Sequence, residues 1–261
     1  MLSELYRFRG FVFGSIKREF QSRYRNSLLG GAWAVINPLA MIVVYTLVFS
    51  QLMRSKLPGV DSGLAYGFYL CAGFLSWGLF TEIIGRSQTM FLDNSNLIKK
   101  LSFPRVCLPA VVIGSATINF AITFIVFVVV LFVTGSFPGV VLLALVPLMI
   151  LLLAFSAGLG MLLGVINVFF RDVGQLFSIL MQFWFWLTPI VYPIDILPSY
   201  IRPVVEFNPM TPVIGAFQTV LVYQRWPEWS SLVAPFILAI VFCWMGLIVF
   251  RARSGEMVDE L

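Results

Sequence analysis

The sequence contains no histidine, and only 11% of its 261 residues are charged. A soluble domain usually carries about a quarter of charged residues. No glycine-rich phosphate-binding loop ending in Gly-Lys-Ser/Thr occurs, and no carboxylate cluster offers metal ligands or a paired acid and base. We therefore expect a chain that is not an enzyme and that binds no metal or cofactor itself.

The three cysteines, Cys71, Cys107 and Cys243, are an odd number scattered through apolar surroundings. A disulfide framework needs pairs, so this pattern argues against one. Free thiols behave as small apolar side chains, and we expect these three to pack in hydrophobic surroundings.

Hydrophobic residues make up 60% of the chain, more than a soluble fold of this length can bury. The stretch from Val106 to Phe170 is 65 residues long and has no Asp, Glu, Lys or Arg, whereas a spanning helix needs only about 20 residues. The apolar runs predict an all-α membrane protein in which residues 31–261 form six transmembrane helices. The predicted spans are 32–53, 64–85, 107–133, 140–166, 175–192 and 232–250. The fifth is the shortest and contains Pro189, so we expect it to be broken or partly re-entrant.

Basic residues are concentrated on one side of the predicted membrane. Residues 1–30 alone carry six of them, and more follow the second, fourth and sixth spans. The opposite side has only Arg54, Lys56, Arg202 and Arg225. The positive-inside rule then places both termini in the cytoplasm. This bias accounts for the net charge of +5 without a nucleic-acid partner. No cleavable signal is expected, because the first apolar run is long and follows a basic segment.

Residues 1–30 are predicted to form an amphipathic helix at the cytoplasmic membrane interface. Apolar side chains recur every four residues and basic ones fill the gaps, which suits a helix lying between acyl chains and anionic headgroups. A docking surface for a soluble partner is a compatible interpretation. The apolar positions are Phe8, Val12, Ile16, Phe20, Tyr24 and Leu28.

Glu82 and Arg86 lie four residues apart, on one face of the second span near its cytoplasmic end. We interpret them as an interfacial ion pair, and binding of a coupling ion by Glu82 is the alternative. In the fourth span, Ser156, Gly160 and Gly164 are small residues at four-residue spacing. They predict close helix packing, within one subunit or between subunits.

Two connections between spans carry structural signals. The segment 86–105 is polar, and Asp93 to Asn96 can cap a short helix through Leu97–Lys100 that Pro104 would end. The segment 193–231, between the fifth and sixth spans, alternates prolines with apolar residues. Short re-entrant helices on the external side would account for that pattern.

Two stripes of side chains at three- or four-residue spacing are candidates for a substrate path. Aromatic faces stack on the apolar faces of sugar rings without tight hydrogen-bond specificity, so a polymer can slide along them. Helix packing, or the aromatic belts of membrane surfaces, is the alternative role for each residue. The first stripe comprises Asn37, Met41, Tyr45 and Phe49, and the second comprises Phe177, Met181, Trp184, Thr188 and Tyr192.

Three ordered segments resemble the ABC-2-type permeases that export lipid-linked polysaccharides such as O-antigen, capsule or teichoic acid. The first runs from Tyr24 to Trp33 and is followed by Pro38. The second runs from Asn94 to Pro109, and the third from Arg171 through Thr188-Pro189 to Asn208-Pro209. Order and spacing are similar over nearly the whole chain.

This resemblance implies a homodimer bound to two copies of a separate ATPase subunit, which would hold the ATP and Mg²⁺. It also implies export of a polysaccharide on undecaprenyl diphosphate across the bacterial inner membrane into the periplasm. Permeases for another amphiphile, such as a drug or lipid, and an ion-coupled carrier are the alternatives. The N-terminal helix would meet the ATPase together with Asn94, Leu97, Ile98, Lys99, Lys100, Phe103, Pro104 and Arg105.

Overall fold

The computed structural model describes residues 6–25, 27, 29–52, 57, 63–100 and 104–260. Short 3₁₀ turns precede three of the helices at Gly30–Ala32, Gly139–Ala144 and Trp229–Leu232, and a π-helical stretch, Thr46–Leu52, continues the first long apolar helix. The α-helices of the described residues are α1 Arg9–Tyr24, α2 Trp33–Tyr45, α3 Ala65–Asp93, α4 Ser95–Lys100, α5 Cys107–Val133, α6 Leu145–Phe169, α7 Asp172–Trp186, α8 Arg202–Phe207, α9 Met210–Leu221, α10 Val233–Arg253 and α11 Met257–Glu260.

Five helical segments of the described chain are long and apolar enough to cross a membrane. They correspond to the predicted spans one, two, three, four and six, and the third has the predicted bounds of 107–133. The helix of the second span continues eight residues beyond the predicted end at residue 85. The segments are Gly30–Phe49, Ala65–Asp93, Cys107–Val133, Gly139–Phe169 and Trp229–Arg253.

The bounds predicted for the fifth span were wrong. The helix in this region, α7, begins at Asp172 and ends at Trp186, so it has 15 residues instead of continuing to residue 192. At 1.5 Å per residue it is about 22 Å long, shorter than the roughly 30 Å of a bilayer core. Residues 187–193 form turns instead, and Thr188 and Ile190 within them are buried.

Helices α3 and α6 form the centre of the bundle. Helix α6 packs on α3 along one side and on α10 along the other. The small residues of α6 lie at these crossings: a Cβ atom added to Gly164 would lie 2.3 Å from the Ser87 carbonyl oxygen, and one added to Gly158 would lie 2.4 Å from the Cys243 nitrogen. The predicted small-residue packing is therefore present within one subunit.

The alternating direction of the long helices gives the bundle two ends. We call the end at which α3 and α6 finish and α5 begins the basic end, because most lysine and arginine residues flank it in the sequence. There the Asn167 amide donates to the Gln88 carbonyl oxygen over 2.8 Å. At the opposite end, called the hairpin end here, α8 and α9 lie, and Gln224 donates to the Ser136 carbonyl oxygen over 3.0 Å. Helix α9 packs back on α3 and α6, and nine of its 12 residues are buried.

Helix α1 lies at the basic end, against the first half of α5. Ile16 is buried there, and its Cδ1 atom lies 2.5 Å from the position a Cβ atom would take at Gly114. Among the other residues of the predicted apolar stripe, Phe8, Val12 and Phe20 are half-buried. Leu28 and the side chain of Tyr24 lie outside the described part of the chain.

Alanine at Gly164 should lower the stability of the bundle by about 1–3 kcal/mol, because the new methyl group would overlap the Ser87 carbonyl oxygen of α3. Gly85→Ala is a matched control, since Gly85 lies inside α3 with no atom within 4 Å of an added Cβ. That change should be neutral or stabilise the helix by roughly 0.5–1 kcal/mol. Thermal unfolding of the two purified variants in detergent measures the difference. Equal unfolding temperatures would contradict the close crossing of α3 and α6.

Candidate functional site

A groove of about 590 Å³ opens between α2, α3 and α5. This volume lies within the range of about 300–1,000 Å³ that is typical of small-molecule sites. Its wall combines polar side chains with apolar and aromatic ones. The lining residues are Arg23, Ser27, Trp33, Ala34, Asn37, Pro38, Met41, Ile42, Tyr45, Cys71, Phe74, Leu75, Asn119 and Thr123.

Three of the four residues in the first predicted stripe, Asn37, Met41 and Tyr45, line this groove. The Tyr45 ring stacks on Phe74 of α3 with 4.7 Å between the ring centroids. Phe49 belongs to the π-helical stretch after α2 and packs on Tyr66, 6.1 Å between centroids. The structure thus places the first stripe at an open surface of the subunit.

The second predicted stripe faces the inside of the same subunit. Trp184 packs edge-on against Trp77 and Phe80 of α3 and against Phe177 of α7. Thr188 is fully buried, and Met181 and Tyr192 are half-buried. The opposite face of α7 is exposed, and it carries Leu176, Ile179, Leu180, Phe183 and Trp186. A role of either stripe in carrying substrate stays a prediction.

Aromatic rings of α3 and α7 connect the two stripes. Phe74, which stacks on Tyr45, also contacts Phe185 of α7 at 5.7 Å between centroids. Phe185 in turn lies edge-on to Trp77, 5.9 Å away, and Trp77 contacts Trp184. Phe74 and Trp77 carried no signal in the sequence, because their role depends on which helices meet.

The segment after α7 is buried although it is not helical. Its carbonyl oxygens therefore need hydrogen-bond donors from elsewhere. The Tyr66 hydroxyl donates to the Val191 oxygen over 2.7 Å. The Tyr69 hydroxyl lies 3.1 Å from the oxygens of both Pro189 and Tyr192, and the Gln218 amide donates to Pro189 over 3.3 Å.

Asn208, between α8 and α9, connects this segment to the hairpin end. Its Oδ1 atom accepts from the indole Nε1 of Trp184 over 2.7 Å and from the backbone nitrogen of Met210 over 3.0 Å. Its Nδ2 atom donates to the Thr188 hydroxyl over 2.8 Å and to the Leu187 carbonyl oxygen over 3.2 Å. A buried amide thus uses both of its polar atoms to join α7, the turn and α9.

At the basic end, the predicted pair of Glu82 and Arg86 is present at 3.7 Å and belongs to a larger group. We call Glu19, Arg23, Glu82 and Arg86 the charge cluster. Arg86 lies 2.6 Å from Glu19 and Arg23 lies 3.7 Å from Glu82, measured between nitrogen and oxygen. Ser115 and Asn119 of α5 donate to Glu19 and Glu82 over 2.8 and 2.9 Å. Helix α1 contributes Glu19 and Arg23, which no local sequence pattern pairs with Glu82 and Arg86.

The segment expected to meet a partner contains the predicted short helix, α4. Ile98 of α4 is buried in an apolar cluster with Phe91 and Met257, so α4 is fixed to the bundle by its inner face. Asn94 donates to the Met90 carbonyl oxygen over 2.8 Å. Lys99 is exposed, and Leu97, Pro104 and Arg105 are half-buried. Phe103 and the side chain of Lys100 lie outside the described residues.

Comparison with known proteins identifies relatives over the whole length. The sequence model of the ABC-2 type transporter family matches residues 12–222. The O-antigen export system permease protein RfbA of Myxococcus xanthus is 28% identical over 263 residues, which covers 100% of this chain and 99% of that protein. An RfbA of Klebsiella pneumoniae is 29% identical over 94% of this chain and 92% of its own. The polysialic acid transport protein KpsM of Escherichia coli is 22% identical over 93% of each chain.

Leucine at Asn208 should destabilise the hairpin end, because it leaves the Trp184 indole nitrogen and the Leu187 carbonyl oxygen without their partner. Each buried polar group left unpaired costs about 1–3 kcal/mol. Trp184→Phe is the matched variant: it removes one donor, keeps most of the ring packing and should cost less. Thermal unfolding in detergent compares the two. An Asn208→Leu protein as stable as the parent would contradict the structural role of this amide.

Proposed function

Because the chain belongs to the ABC-2 type transporter family of membrane proteins, we propose that it is the permease subunit of an ABC transporter that exports an O-antigen-like polysaccharide carried on undecaprenyl diphosphate. The observation that carries this proposal is the similarity along the full length of the chain to permeases named for O-antigen export. The likeness to a polysialic acid transport protein supports the same class of polymer.

The groove has the chemistry that an amphiphilic substrate requires. Arg23, Asn37 and Asn119 supply charge and hydrogen bonds, while Tyr45 and Phe74 offer stacked aromatic faces. A lipid-linked polysaccharide combines an apolar tail, an anionic diphosphate and a chain of sugar rings. The polar side chains of the groove suit the diphosphate, its apolar side chains suit the tail, and its aromatic rings suit the sugars.

A second copy of the chain completes the proposed transport unit. Helix α2 buries only Pro38 and Ile42, and α7 has no fully buried residue, so both present apolar faces to their surroundings. These faces would pack on a second subunit and enclose a conduit. Homodimers with such two-fold contacts are the commonest oligomers.

A separate ATPase subunit, in two copies, would supply the energy and bind ATP and Mg²⁺. Helix α1 and the outer face of α4 are the surfaces proposed to meet it, since both lie at the basic end. By the positive-inside rule this end would face the cytoplasm of a bacterium, with both termini there. The hairpin end would then face the periplasm and release the polymer.

Deletion of the gene in its own bacterium should abolish the surface polysaccharide and leave the lipid-linked polymer inside the cell. Immunoblots of intact and disrupted cells measure both pools. Complementation with Tyr45→Ala should restore export only in part, because a groove ring is lost; an aromatic pair contributes about 0.5–1.5 kcal/mol.

The matched control is Trp244→Ala, which removes a 64% exposed aromatic side chain of α10 that does not line the groove. This variant should export normally at equal protein level. A deletion strain with normal surface polysaccharide but heightened drug sensitivity would instead favour a permease for a different amphiphile.

The permease purified alone should hydrolyse no ATP, and Leu97→Asp should weaken its complex with its cognate ATPase. The half-buried Leu97 lies on α4, and a carboxylate there would place a charge where an apolar side chain is proposed to meet the ATPase. Ser199→Asp introduces the same group at an exposed position beside α8, at the opposite end of the bundle, and is the control. Co-purification yields measure the effect. Equal yields for both variants would exclude α4 from the interface.

A further inference from the structure

Arg23 is shared between the charge cluster and the groove. Its guanidinium lies 3.7 Å from the Glu82 carboxylate, while the Arg23 side chain also lines the groove and is 41% exposed. The neighbouring pair of Arg86 and Glu19 is tighter, at 2.6 Å. Of the two arginines in the charge cluster, Arg23 therefore makes the weaker ion pair, and its side chain is open to the groove.

The cluster lies at the depth where a lipid headgroup would sit. Glu82 follows Ala65, the first residue of α3, by 17 positions, which at 1.5 Å per residue places it about 26 Å along the helix. A bilayer core is roughly 30 Å thick, so a core that begins near Ala65 would end close to Glu82 at the basic end. The apolar part of the groove, around Tyr45 and Leu75, extends from there towards the hairpin end.

We propose that Arg23 binds the diphosphate of a lipid-borne substrate, and that Glu82 is an internal counter-anion which occupies Arg23 until the diphosphate displaces it. This inference rests on the proposed function. A diphosphate carries more negative charge than a carboxylate, and guanidinium groups bind phosphate oxygens in a bidentate manner. Asn119 lines the groove and donates to Glu82, so it lies where the diphosphate would replace the carboxylate.

The cluster provides a new partner for Glu82 when Arg23 leaves. The Nη1 atom of Arg86 is buried and has no hydrogen bond within the described residues, and it lies 3.7 Å from Glu82. A small shift of the carboxylate turns this contact into a hydrogen-bonded ion pair. The exchange therefore leaves no charge unpaired, which at this depth would be costly.

The exchange also changes how α1 is held. In the structure two ion pairs connect α1 to α3, Arg23 with Glu82 and Glu19 with Arg86. Displacement of Glu82 leaves the ion pair of Glu19 with Arg86 and the Ile16 contact in place. Substrate binding thereby loosens the C-terminal end of α1, the helix proposed to face the ATPase.

Binding of farnesyl diphosphate to the purified full chain in detergent tests this inference, with the fluorescence of Trp33 and the other tryptophans as the readout. Arg23→Gln should weaken binding at least tenfold. Glu82→Gln should strengthen it several-fold, because the competing carboxylate is gone. Arg18→Gln is the matched control: Arg18 is an exposed arginine of the same helix that hydrogen-bonds Ser15, and its loss should change nothing.

Farnesol and inorganic pyrophosphate separate the contributions of chain and headgroup, and each should bind more weakly than farnesyl diphosphate. Pyrophosphate that binds as tightly would identify a site for free phosphate and overturn the lipid assignment. Equal weakening by Arg23→Gln and Arg18→Gln, or weaker binding in Glu82→Gln, would overturn the exchange. Normal farnesyl diphosphate binding in an Arg23→Gln protein that fails to export would refute this inference and leave the proposed function intact.

Discussion

A buried stretch of backbone without helical hydrogen bonds determines the architecture of the hairpin end. After Trp186 the chain turns inside the bundle, and Ile190 is fully buried. Apolar surroundings offer no water to such carbonyl groups, so the turn exists only where side chains donate to them. Tyr66 and Tyr69 of α3 and Gln218 of α9 fulfil this role. The same contacts draw α9 against α3, which is why the segment packs into the bundle instead of extending away from it.

Hydropathy predicts most of the helices because a long apolar run has few alternatives to a spanning helix. The predicted spans 107–133 and 64–85 illustrate this success, although α3 continues to Asp93. The fifth span fails for a physical reason: the apolar run continues to Tyr192, while the helix ends at Trp186. The donors that stabilise the turn lie about 120 residues away in α3 and about 30 in α9, a separation that no local pattern reveals.

The sequence predicts only part of the candidate site. Helical spacing places Asn37, Met41 and Tyr45 together, and it also pairs Glu82 with Arg86. Asn119 and Arg23 join them through tertiary packing of α1 and α5, which depends on the close contact of Ile16 with Gly114. The pairing of Glu82 with two arginines also bears on the alternative of an ion-coupled carrier. A carboxylate engaged by Arg23, Arg86 and Asn119 is a poor site for a coupling cation.

Helix α3 contacts each of the functional regions. Tyr69 supports the broken backbone near the hairpin end, Trp77 contacts Trp184 and Phe185 in the middle, and Glu82 and Arg86 hold α1 at the basic end. Its 29 residues form one uninterrupted helix, fixed to α6 at the tight crossing of Ser87 with Gly160 and Gly164. Close-packed interiors transmit displacements because they contain little free space. The residues of the charge cluster and the donors of the turn therefore stand on one close-packed helix. In the proposed transporter, this helix is the physical connection between the end that would meet the ATPase and the end that would release the polymer.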